Sequence, residues 1–195
     1  MKRLALVLIA TTFAGISAAG GAGTFTDKRD GKTYRTVKMP DGKIWMAENL
    51  NHKTGNSWCY NDDNSNCNTY GRLYDWNTAR KGCPSGWHLP TVQEWDGLVG
   101  AAGGNTMAGK KLKSTSGWGN SASYNGTDAY GFSALPGGSR FTDSSFDNAG
   151  DGGSWWTATA YGSDIAGRLM NDFNGSVLEY YGGVGNGFSV RCVRD

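Results

Sequence analysis

Four cysteines, Cys59, Cys67, Cys83 and Cys192, constrain this chain more than any other feature, because the sequence sends them where thiols oxidise. The first twenty residues set that compartment. Lys2 and Arg3 form a short positive segment, Leu4 to Ile16 is mostly apolar, and Ser17-Ala18-Ala19 supplies small residues for cleavage. That is the three-part pattern of a secretory signal peptide. The apolar run is shorter than the roughly 20 residues that cross a bilayer, and Gly20-Gly21-Ala22-Gly23 ends it. No cysteine follows as a lipid anchor would need. The expectation is a signal peptide at 1–19, no membrane span after its removal, and a secreted, cell-surface or periplasmic location. An even set of cysteines in an exported chain forms disulfides by default, and four allow three connectivities. The preferred pairing is Cys59–Cys67 with Cys83–Cys192. The first closes a polar loop, Asn61 to Asn66, that has nothing apolar to hold it; the second joins the middle of the domain to its last strand. Zinc is disfavoured: no Cys-x-x-Cys occurs, and His52 and His88 are the only histidines.

The signal also removes the apparent basicity. Of 19 Lys+Arg against 17 Asp+Glu, Lys2 and Arg3 leave with it, so the remainder is balanced at 17 and 17. A neutral surface of mixed sign gives no footprint for nucleic acid or anionic membrane. The remaining chain, about 176 residues, suits one domain. Its 31 glycines lack a Gly-X-Y period, which excludes collagen, and 8 Trp with 9 Tyr exclude a solvated disordered chain. Glycine with large rings implies tight turns and long loops pinned by buried aromatics.

Along the chain, residues 20–29 read as a flexible leader. Tyr34 to Met39, Pro40-Asp41-Gly42 and Lys43 to Met46 read as a β-hairpin. A polar loop covers 51–69. Gly71 to Lys81 has helical spacing and is stopped by Gly82 and Pro84. Thr91 with Glu94 is a capping box opening a second helix with Val92, Trp95, Leu98 and Val99 on its apolar face. Residues 106–112 suit a short third turn. From 114 to 153 only Tyr130 to Leu135 looks like a strand. Trp155 to Thr159 is a strand, Arg168 to Phe173 and Ser176 to Tyr181 flank Asn174-Gly175 as a tight hairpin, and Phe188 to Val193 is the last strand. This order predicts an α+β domain with helices on one side of a mainly antiparallel sheet. Trp45, Trp76, Trp87, Trp95, Trp155 and Trp156 are assigned to the core.

Several segments together resemble a known family. They are Asp30-Gly31-Lys32-Thr33-Tyr34, Trp45-Met46-Ala47-Glu48-Asn49-Leu50, Tyr70-Gly71-Arg72-Leu73-Tyr74, Cys83-Pro84-Ser85-Gly86-Trp87-His88-Leu89-Pro90-Thr91, Tyr130 to Gly138, and Phe188 to Val193. In this order they resemble the Fibrobacter succinogenes major paralogous domain family over residues 30–195. Leu89-Pro90-Thr91-Val92-Gln93-Glu94-Trp95 is similar, more distantly, to a segment of formylglycine-generating and sulfatase-modifying proteins. That resemblance implies a C-type-lectin-like fold: two main helices, a small, mostly antiparallel twisted sheet and long irregular loops. It also implies exported or surface proteins rather than a particular activity.

The candidate sites divide by chemistry. Formylglycine-generating enzymes use a reactive cysteine pair; here only Cys192 lies late in the chain, and its expected partner is Cys83. No Gly-x-Ser-x-Gly elbow occurs, and His88 reads as structural. C-type lectins hold Ca²⁺ with a Glu-Pro-Asn-like tripeptide and a Trp-Asn-Asp; this chain has only Met170-Asn171-Asp172. Asp62, Asn64 and Asn66 follow a D-x-N-x-N spacing, and Asp143, Asp147 and Asp151 cluster later, so Ca²⁺ is the one metal to consider, against solvated polar turns. Asn125-Gly126-Thr127 and Asn174-Gly175-Ser176 fit the glycosylation sequon. The best ligand candidates are Trp118, Tyr124, Phe141, Phe146 and Tyr161, rings set among Gly, Ser, Asn and Asp, which suit sugar faces or a protein partner. The competing explanation is that these rings pin the loops. The expected function is a non-catalytic secreted or surface binding module for a polysaccharide or surface protein, ahead of a structural matrix component and an oxidase.

Overall fold

Strand β1, Ala22–Thr26, begins the structured chain and pairs antiparallel with β2, Thr33–Lys38, which pairs with β3, Ile44–Met46. The computed structural model describes residues 21–119 and 121–195, so the expected signal peptide lies outside the described residues. The expected leader is corrected: Ala22–Thr26 is an edge strand. Its Phe25 ring packs 5.2 Å from Trp87, contact enough to order a strand whose other residues face solvent. The β2–β3 hairpin forms as its turn chemistry predicts. Gly42 sits at φ +87° and donates to the Met39 carbonyl, and Asp41 accepts from the Lys43 amide.

The polar loop 51–69 holds more structure than its composition suggests. It contains β4, Ser57–Trp58, a 3-10 turn at Tyr60–Asp62, and helix α1, Asn64–Tyr70, capped by Asp63 accepting from the Ser65 amide. The helix expected over 71–81 is shorter and starts later. Gly71, at φ +76°, lies so close to Asn49 and Leu50 that a Cβ there would stand 2.8 Å from Asn49 Cβ. The chain then extends as β5, Leu73–Tyr74, and turns helical only after Asp75, whose carboxylate accepts from the Thr78 amide to cap α2, Trp76–Gly82. Strand β6, Trp87–His88, leads to α3, Val92–Ala101, which carries the full Thr91/Glu94 capping box and buries Val92, Trp95, Leu98 and Val99. Helix α4, Ala108–Leu112, is the short third turn.

The strand expected at 130–135 does not form. Ser133 takes φ +53°, and only Ala134 bridges to Lys113. Pairing occurs instead in the glycine-rich stretch after it, as β7, Gly137–Arg140, and β8, Phe146–Ala149. β9, Gly152–Tyr161, and β10, Asp164–Asn171, form the tight hairpin of this half, with Gly162 at φ +61° between Tyr161 and Asp164. β11, Leu178–Gly183, pairs with β10, but Leu178 stands opposite Leu169, so Asn174-Gly175 belongs to a longer connection rather than a two-residue turn. The expected final strand is two: β12, Phe188–Ser189, and β13, Val193–Arg194.

The strands make two sheets, ordered β1-β2-β3-β13-β6 and β11-β10-β9-β12-β5-β4, with β7 on β9 and β8 on β7. With the helices they form an α+β fold. The predicted core tryptophans are all buried. Trp45, Trp95 and Phe132 meet edge-to-face at 5.2–5.9 Å in one cluster. Trp76, Trp87 and Trp156 with Tyr74 and Phe188 fill the other. Three buried indoles find acceptors, Trp155 on Asn49, Trp156 on the Tyr74 carbonyl and Trp76 on the Thr157 carbonyl, whereas Trp95 Nε1 has none among the described residues. Fully buried Arg191, between β12 and β13, donates to Asn49 Oδ1 and the Met46 and Phe132 carbonyls; burial pushes it down to about 9. Both preferred disulfides form, Cys59–Cys67 and Cys83–Cys192, with Cα separations of 4.9 and 5.9 Å. No helix among the described residues is long and apolar enough to cross a membrane.

Candidate functional site

Where β10 ends, Asn171-Asp172-Phe173-Asn174 leaves the sheet and sets one large ring in solvent. Phe173 is 75% exposed, the most exposed large apolar side chain among the described residues. Two depressions of about 330 and 170 Å³ share Phe173 and Asp172. Tyr124, Lys110 and Asn174 line the first; Asp151, Asn148, Ser139 and Ser154 line the second, with Asn171. The result is one cleft with rings at its rim and carboxylates, amides and hydroxyls along its walls.

The loop is held from below. Lys113 leaves the end of α4 and is 1% exposed. Its Nζ donates to the carbonyls of Tyr124 at 2.9 Å, Asn171 at 2.8 Å and Asn174 at 3.0 Å, tying both ring-bearing segments to one ammonium. Burial pushes Lys113 down to about 8, Lys110 adds to this, and Asp172 opposes it. The Asp172 amide donates to the Asp151 carbonyl, and Asn174 Oδ1 accepts from the Ser176 amide. Gly119 closes the remaining side at φ +57°. A Cβ there would stand 2.4 Å from Tyr124 and 2.6 Å from Asp172, so only glycine lets the three segments meet.

Of the five rings expected to bind ligand, the cleft gathers one, Tyr124, which is 39% exposed. Trp118 is a correction. It is fully buried, its Nε1 donating to Ser114 Oγ and the Ala134 carbonyl, so it supports the floor beneath Lys113 and presents no face. Phe141 and Phe146 belong to the β7–β8 hairpin; Phe146 packs edge-on to Tyr60 at 5.3 Å. Tyr161 is exposed at the β9–β10 turn against Tyr181, 5.8 Å away. The sequence pattern puts Phe173 at the end of a hairpin strand, although the turn formers Asn171, Asp172, Asn174 and Gly175 surround it.

The Ca²⁺ candidates do not converge. Asp62 and Asn64 lie in the 3-10 turn and α1, and Asn66 donates to the Tyr60 carbonyl. Asp143 is taken by the Ser145 amide and hydroxyl, and Asp147 by Asn148, while Asp151 alone reaches the cleft. His88 is bridged by carboxylates, Asp195 on Nδ1 at 2.6 Å and Glu94 on Nε2 at 2.9 Å, which is a structural arrangement.

These features define an α+β, doubly disulfide-bonded domain that displays an aromatic and polar cleft on a braced loop. The chain belongs to the family of the Fibrobacter succinogenes major domain, which matches residues 29–194. No curated protein and no solved structure matches it.

Proposed function

We propose that the protein is a non-catalytic, exported binding module that takes a polysaccharide in the Phe173 cleft, on a C-type-lectin-like scaffold. The observation that carries this reading is Phe173 itself, three-quarters exposed beside Asp172, Asp151 and Asn148 on a loop fixed by Lys113. Burial normally claims such a ring, and a flat apolar face among short hydrogen-bonding groups suits a sugar ring. All four cysteines are in disulfides, which argues against paired-thiol oxidase chemistry. Pull-down on insoluble glycans and a glycan array test the reading. Retention on at least one glycan is expected, weakened about tenfold, or ~1.4 kcal/mol, by Phe173→Ala. Retention on no glycan would overturn it.

A structural surface or matrix role is the second reading. It draws on β11, an edge strand of the larger sheet that exposes Leu178 at one end and, toward the other, Tyr181 beside Tyr161. Unpaired strand edges template association. A self-assembled species by light scattering, with no glycan binding, would favour it.

A further inference from the structure

The described chain is nearly neutral, yet one cavity concentrates cations. It measures about 330 Å³, shares no residue with the Phe173 cleft, and is lined by Arg29, His52, Thr54, Asn77, Thr78 and Lys81, with no carboxylate in its wall. Asn77, Thr78 and Lys81 come from α2, and Arg29 from the β1–β2 turn.

Two of the three basic side chains are anchored by carboxylates set behind them. Asp27, fully buried, accepts from Arg29 Nε and Nη2 and from its amide. This fixes the guanidinium and leaves Nη1 without a protein acceptor among the described residues. Asp30 lies 3.0 Å from His52 Nδ1, and Nε2 has no partner among the described residues. Lys81 Nζ has no partner among the described residues. A planar guanidinium with one edge anchored and the other open is suited to an oxyanion.

A metal is the competing occupant, because Asp27, Asp30 and His52 place ligand atoms within 4.8 Å of one another. Both Asp27 oxygens already accept from Arg29. A cation there would have to displace a guanidinium and sit beside its charge.

We propose that this cavity binds an oxyanion, a carboxylate, sulfate or phosphate group, through Arg29 Nη1 and Lys81 Nζ, with the Thr54 and Thr78 hydroxyls and the Asn77 amide completing the shell beside the His52 ring. The site is independent of the Phe173 cleft.

The test is an NMR titration of the whole domain with sodium sulfate, sodium phosphate and sodium galacturonate, each at ionic strength matched with NaCl. Saturable shifts are expected at Thr54, Asn77, Thr78 and the His52 ring with at least one anion below about 50 mM. Lys81→Glu, on an exposed position, should weaken them about tenfold and Lys81→Arg should preserve them. The preferred anion then names the source: uronate, sulfated or phosphorylated polymer. Phe173→Ala should leave the shifts intact, which separates failure of this site from failure of the cleft. Absence of saturation with all three anions, equal shifts in Lys81→Glu, or saturation by CaCl₂ instead would each overturn the proposal.

Discussion

Lys113 carries a charge into the protein without a carboxylate to meet it. Three backbone carbonyls accept hydrogen bonds from it, and the Trp118 ring lies 4.8 Å from Nζ. Carbonyl dipoles offset only part of the lost hydration, so burial holds its pKa at about 8, below the ordinary lysine value of roughly 10.4. The unfolded chain therefore binds more protons between those values, and this group's cost to stability falls as pH rises through them. Lys113→Met removes the buried charge but leaves three carbonyls without a donor, at about 1–3 kcal/mol net. Hydrogen exchange should show faster opening of residues 171–176 and 121–126 in this variant, with β9 unchanged. Neither Lys113 nor Phe173 was legible in the sequence. A lysine beside Lys110 and Lys111 looks solvated, and its cage comes from carbonyls that the one-dimensional pattern does not reveal. Trp118 failed in the opposite direction: its small polar neighbours suggested display, and the fold closed over it.

Among the elements, α3 ties its own start to both sheet and tail. Glu94 closes the capping box on Thr91, accepts from His88 at 2.9 Å and faces Lys43 at 3.2 Å. Burial would raise Glu94, but the Thr91 amide, His88 and Lys43 outweigh it and hold it at about 2. Burial would lower His88, yet its bonds to Asp195 and Glu94 raise it above its ordinary value. The depressed glutamate contributes stability above about pH 4.5 that is lost as pH falls toward 2; the raised histidine contributes below about pH 6.5 and loses it as pH climbs through its folded value. From this network, melting temperature should peak between about pH 4.5 and 6.5, and Glu94→Gln should flatten both flanks. In a Lys113→Met background, where the lysine no longer titrates, a melting temperature still rising past pH 7 would contradict this. The capping box was legible because Thr91 and Glu94 act within one turn. The start of α2 was not, because the spacing of Leu73 and Trp76 suits a helix equally well, and only contact with β4 and β12 extends Leu73–Tyr74.

Across the whole molecule the two disulfides act over different lengths of chain. Cys59 and Cys67 are 8 residues apart, Cys83 and Cys192 are 109. Loop-closure entropy assigns roughly 2.5 kcal/mol to the first and roughly 5 kcal/mol to the second. Cys83→Ala/Cys192→Ala should therefore lower the urea midpoint more than Cys59→Ala/Cys67→Ala, and equal losses would show that native contacts, rather than loop length, set the effect. The pairing and the mixed α+β class were legible; the division into two sheets was not, since it turns on Phe188–Arg194 changing partners halfway. β12 completes one sheet, β13 completes the other, and Arg191 fills the gap between them. A ribosome makes that segment after every other strand. Until it emerges, β3 and β6 lack the strand between them, and β9 and β5 lack theirs. Neither sheet of a growing chain can therefore close until this segment has been made.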